Sequence, residues 1–240
     1  MFDKFFDSLL VLAYPQACRV CENSVENLAD GVACRLCWLK TNVFSNTETL
    51  CARCGAFLQS KSSNFQTFCH RCDGHFYHSA TAVGVYEHAL AASVLQLKRE
   101  PFVAKRLRDL LVERFCNSDF HDATLIVPVP LSKKRLLERG FNQAVVLSKI
   151  LAVRFDIKFD EQSLVRTVDT PMHRAGMDGK ARASSVENAF AVKRPTFIEG
   201  EKVLLIDDVY TSGATVSNCA KVLKESGADK VYVFTLAKTL

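Results

Sequence analysis

Two aspartates, a glycine, an alanine and three small hydroxyl residues stand in one short run: Asp207, Asp208, Thr211, Ser212, Gly213, Ala214 and Thr215. Adjacent carboxylates can accept hydrogen bonds from sugar hydroxyls, and they can hold charge opposite a Mg2+-complexed diphosphate. The small residues 211–215 let backbone N–H groups close around a phosphate, and a helix amino end behind them adds roughly half a positive charge. A second chemistry is written earlier. Eight of the ten cysteines form four C-x-x-C pairs: Cys18/Cys21, Cys34/Cys37, Cys51/Cys54 and Cys69/Cys72. Each pair is a knuckle aiming two sulfurs at one point, and two knuckles make a tetrahedral cage for Zn2+.

Local elements must position these groups. Residues 203–206, Val-Leu-Leu-Ile, form a continuous apolar run suited to a strand buried on both faces of a parallel sheet. The acids end that run, the small loop follows, and a helical stripe begins near Thr215. Gly227 is placed to stop that helix. Strand, acids, loop and helix put ligand chemistry at the carboxyl edge of an α/β sheet. An ordinary strand–turn–helix with solvated acids is the simpler alternative. The register of two acids, glycine and hydroxyls argues against it.

The rest of the chain supplies the sheet. Residues 80–86, 124–129, 163–166 and 230–236 read as strands. Residues 89–98, 102–115 and 141–155 read as helices, with Pro101 at the start of the second and Asn142 capping the third. Alternation of this kind implies a parallel sheet with right-handed crossovers. Cys116 and Cys219 fall in helical stripes and read as core thiols. The chain divides at 78/79: residues 1–78 hold an amphipathic N-terminal helix and the cysteine module, and residues 79–240 hold the α/β domain.

Successive cysteine pairs are separated by 12, 13 and 14 residues. Sequential pairing gives Cys18, Cys21, Cys34, Cys37 and Cys51, Cys54, Cys69, Cys72; interleaved pairing gives a cross-braced module. The two halves look like loose repeats, which favours sequential ribbons. So small a module needs structural zinc to fold. Disulfides would instead require an exported protein. His70, His75 and His78 follow the last knuckle and read as solvent-facing or capping groups. Arg53, Lys61, Arg71 and Phe65, Phe68, Phe76 could serve a nucleic acid or a protein partner, or could pack the ribbons together.

Of 240 residues, 48% are hydrophobic and 24% charged, as in a soluble globular protein, and no apolar run reaches the roughly 20 residues of a membrane span. Asp3 and Asp7 stand where a secretion signal wants positive charge, which implies a cytoplasmic protein. Residues 1–75 balance seven basic against seven acidic side chains, so the net charge of +5 lies in the α/β part. A mildly basic domain attracts phosphate-bearing partners, without separating a nucleotide-like substrate from a nucleic acid.

The 202–215 stretch resembles the 5-phosphoribosyl-1-diphosphate (PRPP) signature of type I phosphoribosyltransferases. That resemblance implies ribose hydroxyls on Asp207 and Asp208 and the 5′-phosphate on Thr211, Ser212, Gly213, Ala214 and Thr215. It also implies a diphosphate loop after the strand ending in V-P-V-P, at Leu131, Ser132, Lys133 and Arg135. A flexible hood over the pocket would lie in 166–190, with Lys180 and Arg182. R-G-F-N-Q-A at 139–144, Leu97-Lys98, the R-x5-N-x-F pattern at Arg182, Asn188 and Phe190, and the four C-x-x-C pairs narrow the resemblance to the ComF family, which includes GntX-like proteins. The match runs along essentially the whole chain.

The ComF resemblance implies a role in DNA uptake during natural transformation, handling incoming single-stranded DNA in the cytoplasm alongside a DNA-uptake helicase or recombination proteins. Lys98, Arg99, Lys105, Arg106 and Arg108 are the nucleic-acid candidates, or else a solvated helix face. Two structural Zn2+ and Mg2+ with PRPP are the implied metals. Two other functions stand beside this one: transfer of the phosphoribosyl group to an unidentified small acceptor, and PRPP sensing without catalysis. The acceptor half is unreadable. Purine-type members carry an acid where Thr211 stands, and a Gln expected near His173 is absent.

Overall fold

The computed structural model describes residues 15–45, 48–58, 68–69, 72, 74–168 and 189–240. The N-terminal helix read at the start of the chain, His70, Lys61, Arg71, Phe65, Lys180, Arg182 and Asn188 lie outside them.

Five strands form one parallel sheet in the order β1-β7-β6-β2-β3. They are β1 (Ser79–Val85), β2 (Leu125–Pro128), β3 (Lys158–Phe159), β6 (Lys202–Tyr210) and β7 (Lys230–Lys238). The fold class expected from the sequence holds: a parallel sheet flanked by helices, preceded by a double ribbon with two four-cysteine groups. The central pair β6 and β7 is buried on both faces, which explains its unbroken apolar runs.

The two-residue period of β6 sorts its side chains between two cores. Leu204 and Ile206 pack with Leu90 and Leu97 of α2 (His88–Leu97), Leu107, Leu111 and Phe115 of α3 (Lys105–Cys116), and Leu147 and Leu151 of α5 (Gln143–Phe155). Val203 and Leu205 pack with Val216, Cys219 and Leu223 of α6 (Ala214–Glu225). Helix α6 ends where Gly227 follows at φ +91°, with Gly227 N–H donating to Lys224 O (3.0 Å) and Ala228 N–H to Leu223 O (3.1 Å).

Several boundaries differ from the sequence reading. Helix α3 begins at Lys105, not at Pro101; Val103 is buried ahead of the helix, while Phe102 is exposed. The polar stretch after Pro130 forms a helix, α4 (Lys133–Arg139), because Ser132 caps it by accepting a bond from Arg135 N–H (3.3 Å). Strand β4 (Leu164–Arg166) stays out of the main sheet and pairs antiparallel with β5 (Phe190–Val192). Cys116 is exposed, not core, since it ends its helix past the buried stripe; Cys219 is fully buried.

The ribbons are built into the domain. Cys34, Cys37 and Trp38, around α1 (Arg35–Leu39), share one core with Val83 and Leu90. Cys51, Cys54 and Cys72 share the other with Val127 and Val216. The module also pairs the free edge of β1: Phe44 N–H donates to Val83 O (2.9 Å), Val85 N–H to Asn42 O (2.8 Å) and Ala80 N–H to Arg53 O (2.6 Å). Covering an edge strand in this way removes a site for pairing with other chains. Gly84 permits the approach, for a Cβ there would stand 2.3 Å from Asn42 O.

Candidate phosphate loop and metal centres

The cysteines assemble into two sequential groups, Cys18, Cys21, Cys34, Cys37 and Cys51, Cys54, Cys69, Cys72, each with its sulfurs within 4.8 Å of one another. Individual Sγ–Sγ separations include 3.6 Å for Cys21–Cys34 and for Cys51–Cys72, and 3.4 Å for Cys54–Cys69. Four Zn–S bonds of about 2.3 Å set tetrahedral sulfurs about 3.8 Å apart, whereas a disulfide needs about 2.05 Å. The residues therefore fit Zn2+. Burial opposes charge on Cys18 and Cys51. Bonds from backbone N–H groups outweigh it, including Cys34 N–H to Cys18 Sγ and Cys69 N–H to Cys51 Sγ (both 3.2 Å), and bring these thiols down to about 6 and about 7. Burial and neighbouring sulfurs push Cys37, Cys54 and Cys72 up. Only a cation allows four such thiolates to coexist.

Strand β6 runs on through both acids to Tyr210, because Asp207, Val209 and Tyr210 still pair with Thr235, Ala237 and Lys238 of β7. The acids therefore sit inside the strand, pointing to opposite faces of the sheet. Asp207 is half-buried; burial and the Asp208 carboxylate push its carboxyl well above the usual range. Asp208 is 7% exposed and pairs with Lys98, at 3.1 Å. Each acid also accepts a bond from the next backbone N–H: Asp208 N–H to Asp207 Oδ1 (2.8 Å) and Val209 N–H to Asp208 Oδ1 (2.9 Å).

Thr211, Ser212 and Gly213 turn directly into α6, with Thr215 in its first turn. Gly213 holds the cap position at φ +80°, and Ser217 N–H donates to its carbonyl (2.8 Å). The amino end of α6 thus meets a cleft of about 680 Å³ at the carboxyl edge of the sheet. Thr211, Ser212, Asn218, His75 and Lys238 line it, together with Cys54 and Phe57 of the second ribbon.

Beneath the loop lies a polar cluster that the sequence reading missed. Tyr77 and Tyr210 share a hydroxyl–hydroxyl bond of 2.6 Å, and His75 stacks on Tyr77 with its Nε2 3.5 Å from the Tyr210 hydroxyl. The Lys238 ammonium lies 3.5 Å from the Tyr210 ring centroid and donates to Cys54 O at 2.8 Å. Burial lowers Lys238 to about 8 and pushes the Tyr77 and Tyr210 hydroxyls up. The one available signal was a lysine closing β7 after the mostly apolar run Val231–Ala237.

The neighbouring strand end lies beside β6, where Val129 N–H donates to Ile206 O (2.8 Å). Leu131 and Arg135 are half-buried there, Ser132 is buried as a cap, and Lys133 and Lys134 are exposed. Asn142 caps α5 through Ala144 N–H (3.0 Å) and donates to Val129 O (2.9 Å), while the turn before it passes through Gly140. The five nucleic-acid candidates do not share one surface role. Lys98 turns to Asp208. Arg106 pairs with Asp30 (3.0 Å) and lies over Trp38 (4.8 Å), tying α3 to the first ribbon. Lys105 pairs with Asp109 on its own helix, and Arg99 and Arg108 are exposed.

Residues 9–73 match the double zinc ribbon domain. The DNA utilization protein YhgH of Escherichia coli is 29% identical over 240 residues, covering 96% of this chain and 100% of that one. Competence protein F of Haemophilus influenzae is 36% identical over 115 residues, 47% of this chain and 49% of its own. The chain is similar to DNA utilization and competence proteins, and its N-terminal quarter to a double zinc ribbon. Among solved structures, the adenine phosphoribosyltransferase of Thermoanaerobacter pseudethanolicus is 15% identical, with a TM-score of 0.34 over 55% of this chain and 78% of its own, a likeness too loose to carry an argument. Among the described residues, no helix is long and apolar enough to cross a membrane.

Proposed function

We propose that this chain is a ComF-family protein that binds PRPP with Mg2+ at the carboxyl edge of its sheet and acts in DNA uptake, handling incoming single-stranded DNA in the cytoplasm. The observation that carries the binding half is the 211–215 loop, which opens the amino end of α6 onto a cleft while Asp207 and Asp208 precede it on β6. A phosphate ester meets backbone N–H groups there; Asp207 and Asp208, which do not line that cleft, would take the sugar hydroxyls at the strand end beside it. Mg2+ would neutralise diphosphate charge beside Lys133 and Arg135; Lys180 and Arg182, outside the described residues, are the proposed hood cations. The DNA half is supported by the relatives, which carry the names DNA utilization protein and Competence protein F.

A second reading is phosphoribosyl transfer to a small acceptor. The room beside the loop, about 680 Å³, favours it. Calorimetric titration of the zinc-loaded chain tests both. PRPP with Mg2+ should bind with one-to-one stoichiometry, and Asp207→Asn with Asp208→Asn should remove that binding. A single-stranded oligonucleotide should bind with steep salt dependence. An absence of PRPP binding sinks the first half. Release of diphosphate only when an acceptor is added moves the function to transfer.

A further inference from the structure

The phosphate loop does not stand alone. Its floor is Tyr210, the last residue of β6, which is 6% exposed. A Cβ built on Gly213 would lie 2.2 Å from the Tyr210 hydroxyl oxygen, so the loop backbone rests directly on that hydroxyl. The hydroxyl is also bonded to the Tyr77 hydroxyl at 2.6 Å. The ring face is held by the Lys238 ammonium, which also donates to the carbonyl of Cys54. Cys54 is a sulfur donor of the second four-cysteine group. A second route reaches the same helix: Phe76 N–H, just past the last knuckle, donates to Ser217 Oγ in the opening turns of α6 (3.3 Å).

Cys54, Lys238, Tyr210 and Gly213 thus form a continuous series of contacts from metal donor to loop. The first four-cysteine group has a different setting, for Cys18, Cys34 and Cys37 pack in the core on the opposite face of the sheet. Displacing Cys54 moves the carbonyl that holds Lys238, and a Lys238 that follows it leaves the face of the Tyr210 ring. The loop backbone must then shift or lose its floor.

We propose that Tyr210 is the positioning residue of the 211–215 loop and that it links the loop energetically to the second four-cysteine group alone. A phosphate ester seated on the loop then tightens that group's hold on zinc, and zinc there tightens the phosphate ester by the same factor, because coupling between two binding equilibria is reciprocal. The inference rests on the phosphate-loop reading proposed above.

The test uses the full chain loaded with two zinc ions. A zinc-selective chelator is added with and without saturating PRPP and Mg2+, and the release of each ion is followed with a fluorescent zinc indicator. One ion should leave at least about fivefold more slowly with PRPP present, and the other should leave at an unchanged rate. In Tyr210→Phe, which keeps the ring and removes the hydroxyl, that protection should vanish and PRPP should bind about tenfold more weakly. Two zinc ions per chain and an unchanged melting temperature certify that this variant is folded. If Tyr210→Phe does not fold, the protection of one ion in the wild-type chain decides alone. Equal protection of both ions, no protection, or a folded Tyr210→Phe that behaves as wild type overturns the inference while PRPP binding stands. If calorimetry finds no PRPP binding to the wild-type chain, both the inference and the reading beneath it fall.

Discussion

Lys98 Nζ lies 3.1 Å from Asp208 Oδ2, so the residue capping α2 is spent on the second acid of β6. A cation at a helix carboxyl end is favourable in itself, and here it also meets a nearly buried carboxylate. Lys98→Met leaves that carboxylate unpaired and should cost about 3 kcal/mol. Adding Asp208→Asn should recover most of the loss. Urea denaturation of the two single variants and the double variant gives the coupling. Additive single effects would show that the pair contributes nothing.

Gly213 is constrained twice, by φ +80° and by the Tyr210 hydroxyl beneath it. Gly213→Ala should cost about 1–3 kcal/mol of stability. It should also abolish PRPP binding, because the backbone N–H groups of the loop must move to admit the methyl group. Thermal melting and calorimetry of this variant check both effects, and full retention of binding would contradict the assignment of the loop.

Chelation should remove two zinc ions per chain and unfold more than the ribbons. Trp38, Cys34 and Cys37 share a core with Val83 and Leu90, and Cys51 and Cys54 share one with Val127. Structural zinc contributes on the order of 10 kcal/mol or more to folding. Helical circular dichroism should therefore fall together with zinc release. An α/β signal that survives complete removal of zinc would show that the two parts fold separately.

Asp160, 7% exposed, accepts bonds from Gln162 N–H (2.8 Å), Ser163 N–H (3.3 Å) and the Ser163 hydroxyl, and it pairs with Arg194. Burial alone would raise its carboxyl. The bonds from Ser163 and Gln162, with Arg194 beside them, outweigh burial and hold it below the ordinary value of 3.8. A depressed folded-state value stabilises the protein above the ordinary value, and that stability drains as pH falls through the folded one. Asp160→Asn should therefore cost about 1–3 kcal/mol at pH 7, and the difference should close below pH 3.8. Urea midpoints measured against pH test the sign; a constant difference across the acid range would remove Asp160 from the account.

The sequence carried whatever depends on near neighbours. C-x-x-C knuckles, the apolar run of 203–206, the glycine after α6 and the Asn142 cap are each set by residues a few positions apart, where sterics and local hydrogen bonds decide. The expected core thiol at Cys116 failed for a tertiary reason: a helical stripe does not say where its helix runs out from the core. The hidden α4 failed the other way, for its polar surface gave no period although Ser132 was there to cap it.

By its residues alone the chain determined two metal-binding ribbons, a parallel sheet, and a loop of small residues after two acids. Only the folded structure decided that the acids part to opposite faces, that Lys98 closes on one of them, and that Tyr210 carries the loop on a support reaching back to Cys54. The physical reason is separation along the chain. Cys54 and Lys238 are 184 positions apart, and no local preference records which distant side chain a buried cation will meet.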